Sequence, residues 1–255
     1  MPDEPGPAET TELATPFGTF HAVPGDVITR QLIKFGAHTR NELLMVLHHV
    51  ARGEVFIDIG AHIGTFAIPI ARRLGPPGRT LAIEGSADTH ALLVKNIAAN
   101  RLSHKIKTVC AIVGEGSEHG LKRVEVAGNS GGGYYLPDSA SDIGAIDTLG
   151  LITAEGFAEP NFIKIDVEGM EARILRSIAP ILDRCRPKLY VEIAPDFLAR
   201  HGDSVAGVDA FLRSFGYRFF RNTGQRNSAN NRYVKTELAT LEEGGVFYDL
   251  LALPE

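Results

Sequence analysis

The sequence predicts an α/β fold in which helices cover both faces of a mostly parallel sheet. Short apolar runs alternate along the chain with segments whose apolar residues recur at helical spacing. The run Val55–Ile59 is almost continuously apolar, which is typical of a parallel strand buried on both faces. Repeated alternation of strands and helices favours a three-layer sandwich with the sheet in the middle.

The first half of the chain predicts three strands separated by helices. Apolar residues at helical spacing predict a helix over 41–52, and Gly53 ends it. Val55–Ile59 is predicted as a strand, and Gly60 begins the turn after it. The other elements of this half are helices over 64–74 and 87–100 and strands over 80–83 and 106–113.

The second half is predicted to begin with an irregular insertion and to return to the same alternation. Segments 121–126 and 132–136 predict a hairpin, with 129–131 at its turn. The remaining elements are strands over 161–166, 188–193, 217–220 and 246–253, helices over 171–182 and 208–215, and a polar loop over 222–231.

Composition limits the class of protein and its setting. A hydrophobic fraction of 44% and a charged fraction of 22% are typical of a soluble globular protein. The net charge of −5 disfavours a nucleic-acid partner. Two isolated cysteines, no signal peptide and no long apolar run predict a cytoplasmic protein without a membrane partner. The predicted organisation is a flexible tail over 1–16, a helical cap over 17–54, and one domain over 55–255 with a hairpin insertion near 115–140.

The turn after the first core strand predicts a nucleoside site. In the segment DIGAHIG, Gly60 allows a tight turn close to a ligand, and Gly64 allows the next helix to pack near the strand. Glu84 ends the following strand, where a carboxylate can accept both ribose hydroxyl protons. The G-x-x-x-G spacing differs from the G-x-G-x-x-G of pyrophosphate sites. It therefore favours a nucleoside without phosphates, and S-adenosylmethionine is the common one.

A second group of acids follows two later strands. Asp166 and Glu168 leave the strand FIKI and enter a turn before a helix, and Glu192 lies near the end of the next strand. Acids at adjacent strand ends can crowd one cleft, which raises a carboxylate pKa and can make a base. Acids before a helix also have a purely structural explanation, because they interact favourably with its N-terminus. We therefore leave base, substrate-anchor and structural roles open.

The chain resembles the FkbM family of methyltransferases. The resemblance rests on the segments DIGAHIGTF, AIEGS with LLVKNIAAN, IDTL, FIKIDVEGMEARIL and KLYVEI, in that order, and covers most of residues 42–192. It implies a class I methyltransferase fold, which is Rossmann-like with six parallel strands and one antiparallel strand. It also implies S-adenosylmethionine as the methyl donor and a hydroxyl of a natural product or saccharide as the acceptor. A homodimer is left open.

The resemblance assigns roles to individual residues. Glu84 would hold the ribose, Gly85 and Ser86 would lie beside the adenine, and Ala111 would border it. Asp166, Glu168 and Glu192 would face the methyl-transfer cleft as candidate catalytic residues. His62 stands where the family usually has Asn, and Gly85 where it usually has Pro. The full predicted cofactor set is Asp58, Gly60, Ala61, His62, Gly64, Thr65, Glu84, Gly85, Ser86 and Ala111.

Several alternatives follow from the same residues. The acceptor hydroxyl must lose a proton, either to a side-chain base or with the help of a divalent ion held by Asp166 and Glu168. No dedicated metal site is predicted. His38, before the first helix, is a further candidate base. The competing functions are a catalytically silent S-adenosylmethionine-binding module and a nucleotide-dependent oxidoreductase.

Overall fold

A computed structural model describes residues 9–228, 232–244 and 247–255. The strands are β1 (Thr11–Thr15), β2 (Gly18–Ala22), β3 (Val55–Ile59), β4 (Arg79–Glu84), β5 (Ile106–Cys110), β6 (Val113–Gly114), β7 (Leu121–Val126), β8 (Asn129–Pro137), β9 (Ile146–Asp147), β10 (Phe162–Ile165), β11 (Lys188–Ile193), β12 (Tyr217–Asn222), β13 (Lys235–Leu238) and β14 (Tyr248–Pro254). The helices are α1 (Val27–Phe35), α2 (Arg40–His49), α3 (Ala67–Leu74), α4 (Ala87–Ala99), α5 (Thr148–Ala154), α6 (Glu171–Ser177), α7 (Ala179–Cys185), α8 (Pro195–Arg200) and α9 (Val205–Ser214).

The centre of the molecule is an eight-stranded sheet. Its order is β13-β12-β14-β11-β10-β3-β4-β5. Five strands, β5, β4, β3, β10 and β11, are paired in parallel. β14 is antiparallel to both β11 and β12, so β12 runs in the same direction as the parallel strands. The predicted set of six parallel strands and one antiparallel strand is confirmed.

The eighth strand, β13, corrects the predicted strand count. It pairs antiparallel with β12 at the edge of the sheet, after the predicted polar loop over 222–231 and in a stretch for which the sequence predicts no strand. Lys235 and Glu237 are exposed on β13, whereas Leu238 is partly buried and packs against the core. The polar sequence of β13 therefore gives no strand signal.

Side chains alternate between two apolar layers, one on each face of the sheet. Ile57, Ile59 and Ile163 pack with the residues of α5, α6, α7 and α9. Phe56 and Phe162 point to the opposite face and pack with α2 and α3. Because successive strand residues face opposite sides, Asp58 and Lys164 also lie on this second face, next to each other in register.

The N-terminal segment differs from its prediction as a tail. Residues 1–8 lie outside the described part of the chain. Thr11–Thr15, predicted as flexible, form β1 and pair with β2. Asn96 and Asn100 of α4 hold this hairpin through hydrogen bonds to the backbone of His21 and Thr19. The β1–β2 hairpin is fixed by distant partners on α4, which the composition of the segment does not reveal.

Two further boundaries differ from prediction. The helix predicted over 171–182 is two helices, α6 and α7, separated at Ile178. Pro180 lacks the backbone N–H that a continuous helix would use. The helix α6 therefore ends, and α7 begins with Pro180 in its first turn. The predicted hairpin is confirmed as β7 and β8, but its turn lies at 127–128, and the predicted turn residues 129–131 belong to β8. Residues 229–231 of the predicted loop and Val246 of the last predicted strand lie outside the described residues.

No helix in the described part of the chain is long and apolar enough to span a bilayer.

Candidate active site

A cleft lies at the carboxyl ends of β3, β4, β5 and β10. Its volume is about 940 Å³, including space that is open to solvent. Ligands of open parallel sheets bind at this end of the strands. Nine of the ten residues predicted for the cofactor line the cleft. The tenth, Gly64, lies behind it, where a Cβ would come within 3.0 Å of Ile68 and Leu93.

The turn after β3 brings the backbone close to the cleft. Gly60 has φ +78°, and a Cβ there would lie 1.8 Å from the carbonyl oxygen of Asp166. Its N–H and that of Ala61 donate hydrogen bonds to the carbonyl of Ile83 at 2.9 and 3.0 Å. No side chain larger than hydrogen fits at position 60, so the tight turn depends on glycine.

His62 occupies a strained position in the same turn. Its φ is +50°, in the left-handed region where Asn and His are enriched among non-glycine residues. His62, which stands where the family usually has Asn, can therefore adopt the same left-handed conformation in the turn. Burial lowers the pKa of the His62 imidazole, although Glu84 and Asp26 oppose the shift.

The Glu84 carboxylate is held by backbone N–H groups from both sides. Oε2 accepts a hydrogen bond from the N–H of His62 at 2.9 Å, and Oε1 accepts one from the N–H of Ser86 at 2.8 Å. Each carboxylate oxygen can accept a second hydrogen bond. The turn thus orients a carboxylate at the cleft with free acceptor capacity, as a ribose diol requires.

Lys164 connects two acids on the floor of the cleft. Its Nζ lies 3.0 Å from Oδ2 of Asp166 and 3.5 Å from Oδ1 of Asp58. Burial raises the pKa of Asp58 to about 6, although Lys164 opposes the shift. Burial would also raise the pKa of Asp166, but the Lys164 ammonium outweighs it and lowers that pKa. Asp166 is therefore the charged partner of Lys164 at neutral pH.

Three candidate catalytic acids converge beside this pair. One carboxylate oxygen of each of Asp166, Glu168 and Glu192 lies within 4.8 Å of those of the other two. Burial and the neighbouring Asp166 raise the pKa of Glu168 to about 8. Burial and the same acid raise the pKa of Glu192 well above its ordinary value. Glu192 does not line the cleft directly, whereas Asp166 and Glu168 do.

The β7–β8 hairpin covers the cofactor end of the cleft. The Arg123 guanidinium donates to Oγ of Ser86, and the Tyr135 hydroxyl donates to the carbonyl of Gly85 at 3.3 Å. Ser130 lies 3.1 Å from Nε2 of His62. The prediction placed a hairpin here but assigned none of its residues to the cofactor site. The run Gly131-Gly132-Gly133 permits close approach of two backbones and was the available signal.

His38 also lines the cleft. Burial lowers the pKa of its imidazole to about 3, so the ring is neutral at physiological pH. Its Nδ1 is buried and has no hydrogen-bond partner among the described residues. A pKa of about 3 makes the neutral imidazole a weak proton acceptor, so the role of His38 as a base stays a prediction although the residue lies at the cleft.

Comparisons with known proteins decide the family. The domain described as "Methyltransferase FkbM domain" matches residues 58–219, which contain every predicted site residue. The chain belongs to the FkbM methyltransferase family. The sheet, with six strands in one direction and β14 antiparallel among them, gives this FkbM methyltransferase a class I methyltransferase fold, extended by β13.

Solved structures of other methyltransferases are also similar to the chain. A precorrin-6y C5,15-methyltransferase from Geobacter metallireducens is 16% identical, with 91% of this chain and 98% of that chain covered and a TM-score of 0.49. TYW2 of M. jannaschii, in complex with AdoMet, is 13% identical, with 97% and 85% covered and a TM-score of 0.48. A search of curated sequences finds no relative that matches.

The residues of the cleft fit the S-adenosylmethionine that this family uses. Gly60 allows the carbonyl of Asp166 to lie where a Cβ would clash, so the turn after β3 and the end of β10 come together at the wall of the cleft. The fixed Glu84 carboxylate suits the two ribose hydroxyls. Ser86, Ala111 and Ile112 form the adjoining wall, which is of the mixed polar and apolar kind that an adenine ring requires.

Proposed function

We propose that this FkbM methyltransferase transfers a methyl group from S-adenosylmethionine to a hydroxyl oxygen of a small natural product or saccharide. The observation that carries the proposal is the convergence of Asp166, Glu168 and Glu192 next to the cofactor end of the cleft. An aliphatic hydroxyl has to lose its proton during methyl transfer, and carboxylates can accept it. The net charge of −5 further favours a small acceptor over a nucleic acid.

Each part of the cleft has a defined task in this proposal. Glu84 would hold the ribose hydroxyls, the Gly60–Ala61 backbone would border the methionine part, and Ser86 and Ala111 would border the adenine. S-adenosylmethionine supplies a methyl group that its sulfonium already activates. The protein therefore contributes alignment of the acceptor oxygen, which can lower a barrier by several kcal/mol.

The raised pKa of Glu168 suits it to receive the proton. A carboxylate whose pKa is about 8 is a stronger base than an ordinary glutamate, whose pKa is near 4.5. Only the deprotonated fraction can accept the hydroxyl proton, so this role of Glu168 should strengthen as the pH rises through about 8. The negative charge of Asp166 maintains this basicity, and Lys164 keeps Asp166 charged. Lys164 is thus a positioning residue. It keeps Asp166 charged, and the charge of Asp166 raises the pKa of Glu168.

The test is methyl transfer from labelled S-adenosylmethionine to a panel of saccharides and macrolide alcohols, with matched amines in place of the hydroxyls. We expect label in an ether linkage and a fall of about 100-fold in kcat for Glu168→Gln. Glu159→Gln, an exposed acid at the opposite end of the sheet, is the matched control and should leave kcat unchanged. Label on amines alone would contradict the proposed acceptor.

Binding and labelling assays on the same protein preparation distinguish two other functions from methyl transfer. A silent S-adenosylmethionine-binding module would bind the cofactor tightly and label none of the panel. A nucleotide-dependent oxidoreductase would bind NAD, whereas the turn at Gly60 has the wrong glycine spacing for a pyrophosphate. Calorimetric titration with NAD should therefore give no measurable binding.

A further inference from the structure

The three acids that converge beside the cleft come from two neighbouring strands. Asp166 and Glu168 follow β10, and Glu192 lies on β11, which pairs with β10 in parallel. One oxygen from each lies within 4.8 Å of the others. Two oxygens on opposite sides of one Ca²⁺ ion are about 4.6–5.2 Å apart, since each lies 2.3–2.6 Å from the ion. Three oxygens spaced equally around one such ion are about 4.0–4.5 Å apart, so one Ca²⁺ ion can contact all three residues after small side-chain rotations.

Glu192 gives a second reason to expect a ligand at this point. The residue is only 7% exposed, and its Oε2 has no hydrogen-bond donor among the described residues. A buried carboxylate oxygen without a partner costs free energy. Glu192 is directed toward Asp166 and Glu168, where a cation would satisfy it.

The protein's own cations do not fill this role. Lys164 directs its ammonium to Asp166, Asp58 and the carbonyl of Gly60, at 3.0, 3.5 and 3.4 Å. Arg226 forms its ion pair with Asp249 at 2.7 Å. Within the described residues, no ion pair reaches Glu168 or Glu192. Glu168 and Glu192 thus have no cationic side chain among the described residues as a direct partner.

We propose that Asp166, Glu168 and Glu192 bind one divalent cation of the hard, oxygen-preferring class. An all-carboxylate donor set suits Mg²⁺, Mn²⁺ or Ca²⁺ and disfavours metals that prefer sulfur or imidazole. The sequence pointed to Asp166 and Glu168 as one option for an ion, and the structure adds the buried third ligand.

The ion would have a direct use in the cleft. If the proposed function holds, on which this step rests, a cation beside Asp166 and Glu168 would lower the pKa of the acceptor hydroxyl by acting as a Lewis acid. In the metal-bound protein Glu168 would serve as a ligand and not as the free base. The binding of the ion itself does not depend on the identity of the acceptor.

The test is titration of the full chain with MnCl₂, followed by the loss of the electron paramagnetic resonance signal of free Mn²⁺. We expect one bound Mn²⁺ per chain, displaced by Mg²⁺ or Ca²⁺. Glu192→Gln should weaken binding about 10-fold or more, because even partners outside the ligand shell cost 10–100-fold when removed. Glu159→Gln, an exposed acid far from the cleft, should bind Mn²⁺ like the unaltered chain.

A second variant controls for loss of Mn²⁺ binding that is caused by misfolding. Glu168 is partly exposed, so Glu168→Gln is expected to fold normally and should weaken Mn²⁺ binding to a similar degree. Circular dichroism checks both variants. Absence of Mn²⁺ binding to the unaltered chain, or binding by both variants as tight as that of the unaltered chain, would overturn the proposed metal site.

Cofactor calorimetry separates this inference from the proposed function. Glu192 does not line the cleft, so Glu192→Gln should bind S-adenosylmethionine normally. Intact cofactor binding and methyl transfer without Mn²⁺ binding would overturn the metal site alone. Mn²⁺ binding without hydroxyl methylation would overturn the proposed acceptor and leave the metal site in place.

Discussion

Nζ of Lys164 lies 3.0 Å from Oδ2 of Asp166, and this ion pair links the core of the sheet to the cleft. Lys164 is only 3% exposed, although a lysine inside a strand would ordinarily be excluded from a core. Asp58, which is its register neighbour on β3, and Asp166 together provide the compensating charge. The pair therefore fixes the geometry at the carboxyl ends of β3 and β10.

Replacement of Lys164 by Met should destabilise the protein by about 3–5 kcal/mol, because it leaves buried carboxylates without their cation. Urea unfolding at pH 7.5 measures the effect. The double variant Lys164→Met with Asp58→Asn should recover part of the loss. Lys122→Met on the exposed face of β7 is the matched control and should change the free energy of unfolding by less than about 0.5 kcal/mol. Equal effects at positions 122 and 164 would contradict this view of the ion pair.

Gly60 and Gly128 provide a matched pair of glycines with positive φ, +78° and +71°. A Cβ at Gly128 meets nothing within 4 Å, so Gly128→Ala should cost about 1–2 kcal/mol from backbone strain alone. A Cβ at Gly60 meets the Asp166 carbonyl at 1.8 Å, so Gly60→Ala should cost about 3–5 kcal/mol in total. Thermal unfolding of the two variants measures the difference. Similar destabilisation of both would show that the close approach at Gly60 is not required.

Glu42 should make the stability of the fold depend on pH. Its carboxylate is buried on α2 and accepts hydrogen bonds from Tyr190 and Asn222 at 2.8 and 2.9 Å. Burial, together with Asp249, raises the pKa of Glu42 from 4.5 to about 7. The folded state therefore binds the proton more tightly than the unfolded state. This contribution to stability is complete below about pH 4.5 and is lost as the pH rises through about 7.

Glu42→Gln should remove that dependence, because glutamine stays neutral and can still hydrogen-bond with Tyr190 and Asn222. Near pH 4.5 the variant and the unaltered protein should have similar free energies of unfolding. At pH 8 the variant should be more stable by about 3 kcal/mol, from the 1.36 kcal/mol per pKa unit of linkage. Urea unfolding across this range measures the difference, with Glu159→Gln as the exposed control. A constant difference between the curves would contradict the assigned pKa.

The sequence predicts the core of the sheet and the cofactor turn well because both depend on local signals. Val55–Ile59 is recognisable as a strand from its apolar residues alone, and Gly60 marks the turn that follows. Glu84 is recognisable because it ends the next strand. These residues meet in the structure since the carboxyl ends of parallel strands share one edge.

The remaining features depend on contacts between distant segments. The pairing of Lys164 with Asp58 becomes visible only when β3 is known to lie beside β10, 106 residues away along the chain. The position of the β7–β8 hairpin over the cleft depends on Asp26, whose carboxylate accepts the N–H of Ser130 at 2.7 Å. β13 has no apolar pattern because it lies at an edge. Local patterning contains no information on such pairings.

The most direct test of the cofactor site is calorimetric titration of the full chain with S-adenosylmethionine and with its demethylated product. The unaltered protein should bind both. Glu84→Ala should weaken binding about 100-fold, because the hydrogen bonds of two ribose hydroxyls to a charged acceptor are lost. Glu159→Ala should bind like the unaltered protein. No binding by the unaltered chain, or equal affinity after Glu84→Ala in a folded protein, would contradict the assignment of this cleft as the cofactor site.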